Sequence, residues 1–193
     1  MTSSLDQPVV QFLDQVAARS PAPGGGGAAA LTGALAAGLA AMAARFSAAQ
    51  LPGAADLAAR ADQLQHRAAE LVDEDAHAYG AVLDAFALPR DIAGRYQQVR
   101  AALDRAAAVP EEMTQLGAQV AGLAARLAVA GNPNLRGDSV TAALLAEASA
   151  RSAACLVDIN VTLGGLGDEV SHQAAQASSA AHAAAQQAVS GRG

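Results

Sequence analysis

The chain has 193 residues and a formal net charge of −6, and 52% of its residues are hydrophobic although only 3% are aromatic. This length suits one domain with a buried core, and an acidic chain without a basic run is a poor match for nucleic acid as its main partner. The apolar residues are mostly alanine, which favours closely packed helices over β-structure. We therefore predict an all-α, single-domain helical bundle over residues 1–193. Because small side chains bury little area each, we also predict a homodimer.

The first predicted helix runs from an N-cap at Ser4 to about Ser20. Its apolar face repeats at helical spacing and comprises Leu5, Val9, Phe12, Leu13 and Val16. Pro21 and Pro23 end this helix, because the residue before a proline avoids helical backbone angles.

A glycine-rich segment, Pro21-Ala-Pro-Gly-Gly-Gly-Gly-Ala28, opens an uncharged run that extends to Ala44. Larger apolar residues follow at helical spacing: Leu31, Leu35, Leu39, Met42 and Phe46. Alanine and glycine fill most other positions, so neighbouring helices can approach closely, and we predict a central, buried helix. At its start, the amides of Gly24, Gly25, Gly26 and Gly27 can form a nest for anionic or carbonyl oxygens. The alternative is a plain loop before a close-packed helix start, and no Lys-Ser/Thr follows as in a nucleotide-binding P-loop.

The same uncharged run is long enough to span a membrane, since a span needs roughly 20 residues. Its alanine and glycine content is too weakly apolar for ready insertion, so we predict no transmembrane helix. No secretory signal pattern is found, and we expect a cytoplasmic protein. The single cysteine, Cys155, excludes an internal disulfide, and its neighbours Ala154 and Leu156 predict a buried thiol.

A long helix is predicted from about Ala54 to Leu88, where Pro89 ends it. Two series repeat every seven residues along it: Leu57, Leu64, Leu71 and Ala78, and beside them Ala61, Ala68, Asp75 and Val82. Asp75 therefore takes a position at which the pattern calls for an apolar residue. Burial of a carboxylate is costly unless it is paired or does chemical work, which makes Asp75 the strongest catalytic candidate. The alternative is a seam that has turned towards solvent.

Two further observations concern the same helix. Tyr79 lies one turn beyond Asp75 and is predicted to line the same cleft. Asp73 and His77 are spaced i, i+4, but two ligands do not make a metal site, and we predict none.

Four helices are predicted in the second half of the chain. Asp91 caps a short one that ends near Ala107, and Pro110 opens the next from its first turn. Asp138 caps a third that runs to about Leu163, and the last runs from Asp168 to about Val189. A loop dense in turn residues, Gly131-Asn-Pro-Asn-Leu-Arg-Gly-Asp138, precedes the third of them. Asp138 is an adequate N-cap there, with or without a further role. Glu147 and Arg151 are spaced i, i+4, which fits a surface salt bridge as well as a functional pair.

Three motifs stand in order along the chain: Pro21-Ala-Pro-Gly-Gly-Gly-Gly-Ala-Ala-Ala-Leu, then Leu71-Val-Asp-Glu-Asp-Ala-His-Ala-Tyr79, then Gly131-Asn-Pro-Asn followed by Asp138 and Ala-Ala-Leu-Leu-Ala-Glu-Ala. Together they resemble the formiminotransferase-cyclodeaminase C-terminal family over nearly the whole chain. The resemblance implies an all-helical homodimer that binds tetrahydrofolate in a cleft, without a metal or a redox cofactor. Two features depart from the family pattern: Gly27, where the family commonly has serine, and Arg45-Phe-Ser-Ala-Ala-Gln50, where it commonly has a lysine-containing stretch.

The resemblance implies a tetrahydrofolate one-carbon enzyme, either a methenyltetrahydrofolate cyclohydrolase or a formiminotetrahydrofolate cyclodeaminase. On this interpretation Asp75 or Asp138 is the catalytic acid or base, and Arg151 binds the glutamate tail of the substrate. The remaining predicted substrate-binding residues are Gly24, Gly25, Gly26, Gly27, Tyr79, Asn132 and Asn134. The two departures favour a second interpretation, in which the same fold acts on another C–N-bonded substrate. A third interpretation is a non-catalytic helical scaffold.

Overall fold

Six α-helices and one short 3-10 helix make up the secondary structure of residues 3–191, the part of the chain that the computed structural model describes. The α-helices are α1 (Val9–Ala17), α2 (Gly25–Arg45), α3 (Ala54–Ala87), α4 (Arg95–Ala130), α5 (Arg136–Gly164) and α6 (Glu169–Ser190). The 3-10 helix, Pro133–Leu135, directly precedes α5. Residues 3–191 contain no strand, so the predicted all-α fold is confirmed.

Small residues allow the helices around α2 and α5 to approach closely. A Cβ atom placed on Gly33 of α2 would lie 2.9 Å from the hydroxyl oxygen of Ser149 in α5. That hydroxyl donates to the carbonyl oxygen of Ala29 at 2.8 Å, so a buried polar group joins the two helices. Gly117 of α4 is equally close to α5, because a Cβ there would lie 2.9 Å from the carbonyl oxygen of Ala146. The three helices therefore pack backbone against backbone, as the alanine and glycine content predicts.

The first helix is shorter than predicted. It begins after Pro8, because that proline disfavours helical angles in the residue before it. Ser4 is therefore not an N-cap, and its backbone N–H instead donates to Asp73 Oδ1 at 2.9 Å. Phe12 is the buried residue of α1, whereas Val9 and Leu13 of the predicted apolar face are exposed.

The two helices predicted on either side of Pro110 are one continuous helix, α4. It begins at Arg95 after Gly94, whose φ of 82° lies in the left-handed region, so Asp91 is not its cap. Pro110 is buried in the middle of α4, where its ring nitrogen cannot donate to the carbonyl oxygen of Ala106. Asn160 Nδ2 of α5 donates to that oxygen instead, at 2.7 Å. A side chain from another helix thus replaces the missing bond, and the helix continues.

The start of α5 also differs from the prediction. The chain enters it through the 3-10 helix, so α5 begins at Arg136 and Asp138 lies inside its first turn instead of at its N-cap. The side chain that acts as a cap is Asn132, whose Oδ1 accepts from the backbone N–H of Asn134 at 3.0 Å. The predicted bounds of α3 and the predicted start of α6 after Asp168 agree with the structure.

The expected burial of Cys155 is wrong, because this residue is exposed. The buried side of α5 is set by small residues and valine: Ala142, Ala143, Ala146, Ala150, Ala153, Val157 and Val161. Cys155 lies two positions after Ala153 and two before Val157, so it faces away from the bundle, which the apolar character of its neighbours does not reveal.

Two segments are long and apolar enough to cross a membrane by length and composition: Gly25–Arg45 and Pro133–Gly164. The apolar window of the first segment is 61% buried within the bundle, and core helices pass this test as well as membrane spans do. The absence of a transmembrane helix therefore stays a prediction.

Candidate active site

A cavity of about 550 Å³ lies between the start of α2 and the sides of α3, α4 and α5. Most of its lining is apolar, and a few polar groups converge on it, which is the usual composition of a small-molecule site. The start of α2 contributes the backbone of Gly24, Gly25 and Gly26. Its side-chain lining includes Asp75, Tyr79 and Phe86 of α3 and Leu156, Ile159 and Asn160 of α5.

Asp75 is carried to this cavity by the repeat along α3. Ala61, Ala68 and Val82, which share its position in the repeat, are 1%, 3% and 6% exposed. The seam therefore faces the core along its length and has not turned towards solvent. Asp75 is half-buried on this seam, at the cavity wall.

Two of the four glycines, Gly26 and Gly27, lie next to the Asp75 carboxylate. A Cβ atom on Gly26 would overlap the carboxylate, so the absence of a side chain there is what lets the acid lie against the start of α2. Burial raises the pKa of Asp75, and the backbone N–H of Gly27 opposes this by lowering it. Burial lets Asp75 hold its proton at a higher pH than a solvated carboxyl group does, and the Gly27 N–H stabilises the ionised form. A group that can both hold and release a proton suits acid–base chemistry.

Aromatic side chains border the cavity on α3. Tyr79 and Phe86 are each 45% exposed, and both lie on the cavity side of the helix. Large exposed aromatic rings on a cavity wall offer flat apolar surface to a planar ring system. Tyr79 is thus placed beside Asp75, whereas Phe86 was not identified in the sequence.

Asn160 is a second polar side chain of the cavity that the sequence analysis missed. It reaches the wall from α5, one turn beyond Leu156, and its Nδ2 donates to the carbonyl oxygen of Ala106. A signal for it exists in the sequence, because a proline inside a long helix requires a donor from elsewhere for the carbonyl four residues earlier. Nothing in the local pattern tells which residue supplies that donor.

Five predicted site residues do not line this cavity. Gly27 is one of them, although its backbone N–H reaches Asp75. Asn132, Asn134 and Asp138 lie in the connection between α4 and the first turn of α5. Asn132 is held there by the chain itself, since its Nδ2 donates to the carbonyl oxygen of Phe46 at 3.0 Å and its N–H to Ser47 Oγ at 2.9 Å. The structure therefore separates this loop from Asp75 within one chain.

Arg151 belongs to a different cluster. Its Nη1 lies 3.5 Å from Glu147 Oε1, and the same oxygen lies 2.8 Å from His182 Nδ1 of α6. Glu147 is buried, whereas both partners are largely exposed, so the carboxylate gains its partners at the surface between α5 and α6. The i, i+4 pair of the sequence analysis is thus extended by a histidine from another helix, and Arg151 does not face Asp75.

No group of three or more His, Cys, Asp or Glu side chains that could hold a metal ion is found within residues 3–191. The absence of a bound metal stays a prediction.

Comparison with known proteins adds three findings. A family model described as formiminotransferase-cyclodeaminase matches residues 8–181. A methenyltetrahydrofolate cyclohydrolase from Methylorubrum extorquens is 33% identical over 165 residues, which cover 80% of this chain and 79% of that relative. The crystal structure of a formiminotetrahydrofolate cyclodeaminase from Thermotoga maritima superposes with a TM-score of 0.85 at 25% identity, covering 96% of this chain and 95% of the other.

Proposed function

Because this chain belongs to the formiminotransferase-cyclodeaminase family, we propose that it is an enzyme of folate one-carbon chemistry which hydrolyses 5,10-methenyltetrahydrofolate to 10-formyltetrahydrofolate. The observation that carries this proposal is the position of the Asp75 carboxylate, half-buried against the glycine-rich start of α2 and open to a cavity of about 550 Å³. The relative that is 33% identical over 80% of this chain is a cyclohydrolase, which favours the hydrolytic direction.

The cavity suits the two chemical parts of such a substrate. Its apolar and aromatic wall, which includes Tyr79 and Phe86, fits the planar ring system of a folate. 5,10-Methenyltetrahydrofolate carries a delocalised positive charge on the one-carbon bridge between N5 and N10. A carboxylate in a half-buried position stabilises such a cation more strongly than it would in water, because the local dielectric constant is lower.

Asp75 acts in this proposal as base and then as acid. As a water molecule attacks the bridge carbon and the C–O bond forms, the Asp75 carboxylate takes one proton of that water. The same proton passes to N5 as the bond between N5 and the bridge carbon breaks. Loss of the remaining hydroxyl proton to solvent completes the 10-formyl group on N10, so the cation and water become a neutral product and one released proton. The proposal requires no cofactor beyond the folate substrate.

The direct experiment follows the loss of methenyltetrahydrofolate absorbance on addition of the protein, at saturating substrate. The expected result is hydrolysis faster than in buffer alone, with a rate proportional to the concentration of folded protein. A rate equal to that of buffer, measured on protein whose helical circular dichroism is intact, would exclude the cyclohydrolase proposal.

The raised pKa of Asp75 favours a second candidate, formiminotetrahydrofolate cyclodeaminase. In that reaction N10 attacks the formimino carbon, the C–N10 bond forms while the N10 proton passes to the terminal nitrogen, and the bond between the carbon and that nitrogen then breaks. The departing nitrogen leaves as ammonia only if it receives a further proton, which a protonated Asp75 supplies. Release of ammonia from 5-formiminotetrahydrofolate, with a matching gain of methenyl absorbance, would identify this activity.

We also propose that two chains associate through the outer face of α2 and α5. Leu35 of α2 is 58% exposed, and Ile159 and Leu163 of α5, which also line the cavity, are 53% and 62% exposed, so this face offers large apolar side chains to a partner. A groove between the two helices, lined by Ala28, Thr32, Ala148 and Ser152 among others, carries no charged residue. A partner seated on this face would bury both sides of α2 and make it the central helix of the dimer.

A further inference from the structure

The carbonyl oxygen of Ala106 lacks the partner that an α-helix normally provides. In a regular helix this oxygen accepts from the N–H four residues later, and residue 110 is a proline without an N–H. An orphaned carbonyl in a protein interior costs free energy unless another donor reaches it. Asn160 Nδ2 fills this role at 2.7 Å from the next helix.

This bond fixes which way the Asn160 carboxamide points. The amide has one donor end and one acceptor end, and the reversed orientation would place Oδ1 against the carbonyl oxygen of Ala106, two acceptors face to face. Because the donor end is held on Ala106, the acceptor end must be directed elsewhere. The proline in α4 therefore determines the orientation of a side chain in α5.

The acceptor oxygen is free and accessible. Asn160 Oδ1 makes no hydrogen bond within residues 3–191. No side-chain oxygen in that part of the chain is both fully buried and without a partner, so Oδ1 has surface that a ligand can reach. Asn160 and Ala106 both line the cavity that holds Asp75.

We propose that Asn160 is a substrate-binding residue, whose Oδ1 accepts a hydrogen bond from an N–H group of the folate ring system, and that Pro110 keeps it in this orientation. Reduced pterin rings carry N–H donors on the edge of the ring and on its exocyclic amine, which match a fixed acceptor. This inference rests on the proposed function. It adds a specificity determinant on the wall formed by α5, a different helix from the one that carries Asp75.

The test separates binding from structure by removing the need for the Ala106 bond. Pro110→Ala returns an N–H to the helix, so that Asn160→Ala in that background leaves no carbonyl orphaned. We expect Asn160→Ala to weaken binding of 5-formyltetrahydrofolate, measured by calorimetry, by about tenfold in the wild type. In the Pro110→Ala background the carboxamide is no longer held on Ala106, so the same change should weaken binding by a smaller factor, about threefold. Asn160→Ala should lower the melting temperature of the wild-type chain, because it leaves the carbonyl oxygen of Ala106 without a donor. In the Pro110→Ala background, Asn160→Ala should leave the melting temperature unchanged. Gln176→Ala, on the exposed side of α6, is the matched control.

A second variant covers the case in which Pro110→Ala does not fold. Asn160→Asp keeps an acceptor oxygen but loses the donor to Ala106, so it should lower the melting temperature while retaining binding to within about threefold. The inference would be overturned if Asn160→Asp weakened binding as much as Asn160→Ala does. It would also be overturned if adding Asn160→Ala to the Pro110→Ala chain left binding unchanged. If the wild-type chain itself does not bind the folate, the proposed function fails instead, and the two failures are distinct.

Discussion

The carboxylate of Asp75 occupies the space that a side chain at Gly26 would need. One residue lies in the middle of the long helix α3, and the other lies at the start of α2, 49 positions earlier in the chain by their numbers, 75 and 26. The contact explains why a glycine is required at this point: a methyl group there would displace the acid from the cavity wall.

Gly26→Ala should therefore reduce activity by about 10²-fold, because the added methyl group moves the Asp75 carboxylate out of position. Gly80→Ala is the matched control, since a Cβ at Gly80 meets nothing within 4 Å. The measurement is the rate of methenyltetrahydrofolate hydrolysis for both variants. Equal rates for the two glycine variants would contradict a role for this contact.

Asp75→Asn should lower turnover by about 10²-fold or more, the usual size of a general acid–base contribution, while stability stays the same or rises. Burial raises the pKa of Asp75 in the folded chain, so the unfolded chain loses its proton first as pH increases. Wild-type stability is therefore complete below the unfolded pKa, falls as pH rises towards the folded pKa, and then levels off. The neutral amide escapes this loss, so the melting temperature of the variant should gain on the wild type over that range. Full activity with reduced stability would rule out the catalytic role.

Glu112→Gln should destabilise the contact between α3 and α4. Arg67 donates to both oxygens of Glu112, at 2.7 and 2.9 Å, and these bonds hold the pKa of Glu112 below its usual value although burial opposes them. The stabilisation is present above the unfolded pKa and is lost as pH falls through the folded pKa. Because both side chains are partly exposed, we expect a loss of at most about 1 kcal/mol at pH 7, which disappears once the pH is below the folded pKa of Glu112. Urea titrations of the wild type and the variant at pH 7 and at a pH below that pKa measure this loss. Glu70→Gln, at a more exposed partner of Arg67, is the control and should have a smaller effect in the same titrations.

Two glycines of α4 offer a matched test of the close packing with α5. A Cβ on Gly117 would lie 2.9 Å from both the carbonyl oxygen of Ala146 and the Cβ of Ala150, whereas one on Gly122 would meet nothing within 4 Å. Gly117→Ala should lower the free energy of unfolding by about 1–3 kcal/mol, because it forces the helices apart. Gly122→Ala should raise it by up to about 1 kcal/mol, because alanine is the better helix former. Similar changes in the free energy of unfolding for both variants would mean that α4 and α5 can move apart at little cost.

Leu35→Glu should convert the proposed dimer to a monomer, because it adds a charge to the apolar outer face of α2. Sedimentation at micromolar concentration should show a dimer for the wild type and a monomer for the variant. Ala101→Glu, an added charge at an exposed position of α4, should remain dimeric. A wild-type chain that sediments as a stable monomer would remove the dimer proposal altogether.

The sequence by itself determined the helical class, the bounds of α3, the start of α6 and the position of Asp75 on a buried seam. All of these depend on local properties: the helix preference of alanine, the seven-residue repeat, and prolines or glycines at helix ends. Three ordered motifs were also enough to identify the family. A repeat reports which side of a helix is apolar, so it could show that Asp75 breaks the pattern before any packing was known.

Tertiary structure alone decided which residues of different helices meet. Asp75 lies against Gly26, whereas Arg151 lies with Glu147 and His182 on another surface. The Glu147–Arg151 pair follows from its i, i+4 spacing. The contact of Asp75 with Gly26 and the addition of His182 do not, since they depend on how helices distant in sequence are rotated against each other. Pro110 shows the same limit. Local rules predict a boundary between two helices there, and the donor that lets α4 continue comes from Asn160, 50 residues further along by their numbers, 160 and 110. A missing hydrogen bond is visible in the sequence, but its replacement is a property of the packed helices.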